Sequence, residues 1–327
     1  MNERGGIEGE RRTDWLRLAV DYAGMSVVLI GLIAFFGAKC PYFLTRATFL
    51  AVANEMIPAI TVVAVGMTFV LVIAQIDLSV GSVLSLGSAV LGIAMTRQGL
   101  SLWTAVAACL LVGLLCGAFN GLFTIRWRLP SFIVTLGMLE MARGAAYMVT
   151  DSQTQYIGAK VAGIASSSLA GLSLPFWVAI SAVILGQFVL SSTVFGRYMV
   201  AIGTNEESVR LSGIDPRPVK LAVFMICGFL SAVAGVITTS QFQAADPNAG
   251  YGMELQAIAA VVVGGTSLMG GRGSVVNSFF GVLIIAVLGA GLTQMGAGEP
   301  TKRFITGAVI VAAVVVDYYR SRLGARR

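Results

Sequence analysis

The chain has 327 residues, of which 57% are apolar and 12% charged, with a mean hydropathy of +0.85 and a net charge of +6. Soluble domains are about 45–50% apolar even with glycine counted, and about 25% charged, whereas the 57% here leaves out 39 glycines. That excludes a soluble globular protein, a disordered chain and a collagen-like one; the surface must face lipid. Histidine is absent, which removes histidine acid–base catalysis, the usual catalytic zinc sites and Ser-His-Asp hydrolysis.

An apolar run of about 20 residues spans a bilayer as a helix. Ten such runs follow one another at 19–38, 50–74, 78–95, 101–124, 131–149, 172–194, 219–240, 255–270, 274–295 and 302–318. The expected fold is an all-α integral membrane protein with about ten transmembrane helices. The runs at 78–95 and 255–270 are short and rich in glycine, a pattern suited to broken or re-entrant helices. Residues 1–18 carry mixed charge and lack a cleavage pattern, so they are expected to be a tail before a retained first span. Residues 19–318 are expected to form one membrane domain and 319–327 a basic tail.

The placement of lysine and arginine sets the orientation. With the N-terminus inside, the inner segments hold 15 of the 22, among them Arg126, Arg128, Arg210, Arg217, Lys220 and Arg272. An even number of spans then puts both termini in the cytoplasm. The positive charge is a topology signal, and no nucleic-acid interface is expected. Trp15, Trp103, Trp127 and Trp177 fall at predicted span ends, as an interfacial belt requires. Cys40, Cys109, Cys116 and Cys227 form no C-x-x-C pair. Cys109 and Cys116 are two helical turns apart on one face, and all four are read as packing residues. No disulfide framework, metal site or cofactor is expected.

Three segments break the apolar pattern. The first, AQIDLSVGS at 74–82, sets Asp77 between two apolar runs. A carboxylate at membrane depth is costly unless paired or wet. It either caps a helix beginning at Leu78 or belongs to a solute path, and a broken helix allows both. The second segment, about 196–218, contains TNEESVRLSGIDP. Thr204 as N-cap with Glu207 makes a capping box, and Glu206 adds an anion to the first turn. Gly213 suits the left-handed position after the helix, and Pro216 stops it. Val209 and Leu211 supply an apolar side. So short a helix is marginal alone and is expected to dock on something.

The third segment, GGTSLMGGRGSVVNS at 264–278, lacks GxxxxGK[ST], and no lysine lies between 221 and 301. It is not a nucleotide-hydrolysing loop; its glycines allow close helix approach or a tight turn. Inside the spans, Glu140 and Arg143 are spaced to pair on one helix face, and Asn120 is placed to bond a neighbouring helix.

Four stretches together resemble one family. They are AVGMTFVLVIAQIDLSVGSVLSL (64–86), NGLFTIRWRLPSFIVTLGMLEMARGAAY (120–147), FGRYMVAIGTNEESVRLSGIDPRPVKLAVF (195–224) and ELQAIAAVVVGGTSLMGGRGSV (254–275). In this order they are similar to the membrane permeases of ribose-type sugar ABC importers, and the resemblance covers roughly residues 20–318. It implies a bacterial inner-membrane importer in which two permease copies, identical or not, form the path. A cytoplasmic double-cassette ATPase would bind beneath them, and a periplasmic sugar-binding protein would deliver the solute. The chain itself would carry no chemistry. The helix at 204–213 matches the family's coupling loop, so Thr204, Asn205, Glu206, Glu207, Arg210, Leu211 and Gly213 become the candidates for ATPase coupling. Gln75, Asp77, Ser79, Asn120 and Thr135 are the candidates for the path. The family often reads S-G-G-I-D-L-S-V-G-S, and here Ala74 and Gln75 replace the glycines, which bears on the substrate and on the helix break. Two rivals remain: an ion-gradient transporter using Asp77 or Glu140, and a membrane enzyme, for which no facing cluster of acids is present.

Overall fold

The computed structural model describes residues 24–324, so Trp15 and the expected tail at 1–18 lie outside the described residues. The protein is helical. Among the described residues, six helices are long and apolar enough to cross a membrane, the first of them made of two joined pieces: α2–α3 (Arg46–Val72), α5 (Leu102–Arg126), α6 (Ser131–Thr150), α8 (Leu174–Ser192), α10 (Arg217–Phe242) and α12 (Val275–Gln294). Three apolar helices are shorter: α1 (Gly24–Lys39), α4 (Val80–Thr96) and α11 (Met253–Val263). The rest are α7 (Ala159–Ser166), α9 (Val194–Leu211) and α13 (Glu299–Gly324). Within the first span, α2 (Arg46–Ala51) passes through a π-helical turn at Val52–Met56 into α3 (Ile57–Val72).

Two expected boundaries move. The run at 255–270 is helical only to Val263, because Gly265, Gly270 and Gly271 all take positive φ. At 1.5 Å per residue, the 11 residues of α11 cover about half of a 30 Å hydrocarbon layer. The helix expected to begin at Leu78 begins at Val80.

Every side chain of α3 is buried, which explains a sequence that is apolar all round with no polar face. It is wrapped by α8, α10, α11 and α12. By contrast α5 exposes Leu111, Leu115 and Leu122 on its outer side, as a lipid-facing helix does. Its inner side is a row of Gly113, Gly117 and Gly121 laid against the backbone of α10 at Leu221, Phe224 and Gly228. A methyl group at Gly117 would collide with the Phe224 carbonyl, and one at Gly113 with the Gly228 carbonyl. Small residues four apart bring membrane helices into backbone contact in this way.

Paired two-residue strands finish one end of the bundle, β1 (Gln155–Tyr156) with β4 (Ala244–Ala245) and β2 (Ser168–Leu169) with β3 (Leu172–Ser173). At this end Arg97 pairs with Asp151 at 2.7 Å. The opposite end gathers Arg128, Arg210, Arg217 and Lys220 around one cleft and is called the basic end below.

Candidate functional site

The site is built around the break between α3 and α4. α3 ends in a hydrogen-bonded C-terminal turn: the Gln75 amide donates to Val70 O at 3.0 Å and the Ala74 amide to Leu71 O at 2.9 Å. This turn needs a left-handed residue, and Ala74 supplies it at φ 57°. The break therefore forms although the usual glycines are replaced.

Beyond it the chain runs without helix to Ser79, and α6 satisfies its backbone. Ser131 Oγ accepts from the Ile76 amide at 2.9 Å, and Thr135 Oγ1 accepts from the Leu78 amide at 3.1 Å. Ser131 and Thr135 lie one turn apart on α6, so one helix face substitutes for a strand partner. Thr135 stood out in the sequence and Ser131 did not; its four-residue spacing from Thr135 was the available signal.

Asp77 is 1% exposed. Its Oδ1 accepts from the Ser79 amide at 2.8 Å and from Ser79 Oγ at 2.6 Å. Asn120 Nδ2 donates to Ser79 Oγ at 2.9 Å, and the Cys227 thiol also faces the carboxylate. Asp77 does not cap a helix at Leu78; it closes a turn two residues wide that delivers the chain into α4. The structure thus brings Asp77, Ser79, Asn120 and Thr135 together around the break. Gln75 stands apart, on the wall of the basic-end cleft.

The short helix in the second polar segment is also real, with a changed start. Asn205 leaves helical geometry at φ −162° and its Oδ1 accepts from the Ser208 amide at 2.9 Å, so Asn205 is the N-cap. Thr204 belongs to the preceding turn, where its hydroxyl donates to Val200 O at 2.8 Å. The expected Thr204–Glu207 capping box does not form. The far end is as the sequence reads: Gly213 takes φ 82°, its amide donates to Arg210 O, and the Ile214 amide donates to Val209 O.

Val209 is buried, and Glu206 accepts from Lys220 of α10 at 2.8 Å. These two contacts hold the helix down. Leu211 does not share Val209's side: it is 79% exposed, on a face with Glu207 and Arg210, which pair at 2.6 Å. Glu206, Glu207, Arg210 and Gly213 also line the basic-end cleft of about 740 Å³, together with Gln75 and Arg128.

The third polar segment joins the other two. The Gly271 amide donates to Val72 O at 2.9 Å. Gly203, immediately before the short helix, sits against the same carbonyl with no room for a methyl group, and Gly270 is in contact with Ala74. The start of the break, the root of the short helix and the glycine turn therefore meet backbone to backbone.

Toward the other end, the expected Glu140–Arg143 pair is replaced. Arg143 lies 5.0 Å over the ring of Tyr251, which also carries Arg303 at 5.4 Å, and both contacts gain cation–π attraction. Glu140 is exposed on the outer face of α6. At the start of α13, the hydrogen bond and charge of Lys302 hold the Glu299 carboxyl below its ordinary range.

Comparisons with known proteins place the chain among transport permeases. The family described as "Branched-chain amino acid transport system / permease component" matches residues 50–314. The ribose import permease protein RbsC of Haemophilus influenzae is 37% identical over 298 residues, 90% of this chain and 92% of that protein. RbsC of Escherichia coli K12 is 36% identical over 296 residues, 89% and 92% of the two chains. The L-arabinose ABC transporter permease protein AraH of Azospirillum brasilense is 31% identical over 302 residues, 92% and 88%. No solved structure matches the chain. With two-thirds of its length and more matched by permeases on every count, the chain belongs to this family of transport-system permease components.

Proposed function

We propose that the chain is the membrane permease subunit of an ATP-driven importer and forms the path for a monosaccharide or related small polar solute. One observation carries the reading: a separately capped helix presents Glu207, Arg210 and Leu211 to solvent while its root is joined rigidly to the break at Ala74–Ser79. Such a helix can take a push from a partner on the basic end and pass it to the membrane segment that is least regular. The solute class follows from relatives named for ribose, arabinose and fructose.

In this reading the basic end is cytoplasmic and about ten spans place both termini there. A double-cassette ATPase occupies the cleft beside the short helix, a periplasmic binding protein delivers the sugar, and a second permease copy completes the path. Asp77, Ser79, Asn120, Ser131 and Thr135 are positioning residues that fix the shape of the break; Gln75 lines the basic-end cleft. An ion-gradient transporter is not favoured, because the relatives belong to ABC importers and the Asp77 carboxylate is already engaged by Ser79.

The test is reconstitution. Liposomes holding this chain, the ATPase and the binding protein should accumulate sugar only with ATP inside, and the chain alone should hydrolyse none. Uptake driven by a proton or sodium gradient without ATP would overturn the reading.

A further inference from the structure

The fourth stretch of the family resemblance opens on Glu254, a residue that neither the coupling helix nor the break uses. It begins α11 from inside the bundle. After β4 the chain passes back along α4: a side chain at Gly92 would strike Ala245, the Gly250 amide donates to Ser85 Oγ at 2.9 Å, and Gly250 lies against the backbone of Gly81. Gly92 and Gly81 are separated by about 16 Å of helix, so this loop descends deep into the membrane before α11 starts. Glu254 stands about 15 Å of helix from the turn at Gly264, and Gly81 about 22 Å from the end of α4 at Thr96. Both therefore sit inside a hydrocarbon layer of about 30 Å, away from its surfaces.

Two half-helices begin at this depth, α4 running one way and α11 the other, and neither start carries a side-chain cap. Glu254 is 9% exposed and its Oε2 has no hydrogen-bond partner; Ser82, wholly buried, has none for its Oγ. A methyl group at Gly81, next to Ser82, would collide with that same Glu254 oxygen and with the Gly250 carbonyl. A bare carboxylate oxygen and a bare hydroxyl at membrane depth are costly, and such violations mark functional positions.

The chemistry of the place selects the ligand. The two helix starts present the positive ends of two helix dipoles, which disfavours a lone cation. The carboxylate accepts hydrogen bonds, and the serine hydroxyl both donates and accepts. A neutral molecule bearing several hydroxyls satisfies all of them. We propose that Glu254 and Ser82 form an intramembrane subsite that takes hydroxyl groups of the passing solute, Glu254 accepting from them. Tyr251, exposed one turn before Glu254 and held by Arg143 and Arg303, marks the approach. This rests on the permease reading above and adds the residues that handle the solute within it.

The experiment uses the complete transporter in vesicles, with its ATPase and binding protein, and follows labelled D-ribose, L-arabinose and D-fructose. A wild type that takes up none of the three with ATP overturns the permease reading and the proposal with it. Given wild-type uptake of one, Glu254→Gln should lower that uptake tenfold or more while the complex still co-purifies. Ser82→Ala removes a hydroxyl that has no partner, so it should leave the unfolding temperature unchanged or raised and lower uptake several-fold. Uptake by Glu254→Gln within threefold of wild type overturns the proposal, as does a loss of uptake that tracks loss of assembly. If Glu254→Gln fails to assemble, Ser82→Ala decides, and uptake within twofold of wild type then overturns it.

Discussion

The Val72 carbonyl receives the Gly271 amide at 2.9 Å, and Gly203 packs against both atoms of that hydrogen bond. One peptide group at the end of α3 thus ties the glycine turn to the root of the short helix. The contact is tight, so a movement of Gly203 is expected to carry Val72 with it, and Ala74 and the break in turn.

Gly203→Ala should therefore separate ATP use from transport. The added methyl meets the Val72 carbonyl, and overpacking of this kind costs about 1–3 kcal/mol and displaces backbone. The complex should assemble and hydrolyse ATP, with solute carried per ATP falling several-fold. Equal stoichiometry in variant and wild type, measured in the same vesicles, would refute the linkage.

Glu207→Ala and Arg210→Ala probe the exposed face of the short helix. Their mutual pair is exposed on both sides, so its loss costs the fold only about 0.5 kcal/mol. Membrane insertion and unfolding temperature should hold, while affinity for the ATPase subunit drops tenfold or more in a co-purification titration. Normal transport by both variants would remove this face from the docking assignment.

Ala74→Gly should stabilise the chain. Left-handed backbone costs a residue with a Cβ about 1–2 kcal/mol, and glycine returns part of that as freedom in the unfolded state. A net gain of about 1 kcal/mol is expected in detergent unfolding, with uptake preserved. A lower midpoint in the variant would show that the Ala74 methyl, in contact with Gly270, contributes more by packing than it costs in strain.

The sequence announced the apolar helices, the Gly213 stop and the special nature of Asp77, because each depends on local chemistry. It placed the helix start one residue early because Thr204 and Asn205 are both good caps. The choice between them is tertiary: Gly203 and Thr204 are packed against Val72 and Gly271, which prolongs the preceding helix through Thr204. For the same reason Arg143 turned from Glu140 to Tyr251, a residue 108 positions away. Ser131 and Glu254 escaped notice since their roles appear only when the break and the descending loop are folded beside their helices.

The glycine row between α5 and α10 has a mechanical meaning. Where two backbones touch along Gly113, Gly117 and Gly228, there are no long side chains to slide or re-pack, and the pair behaves as one stiff beam. If the molecule works by alternating access, that beam is expected to tilt as a unit against its neighbours, with the flexing left to the irregular stretches at 73–79, 246–252 and 264–274.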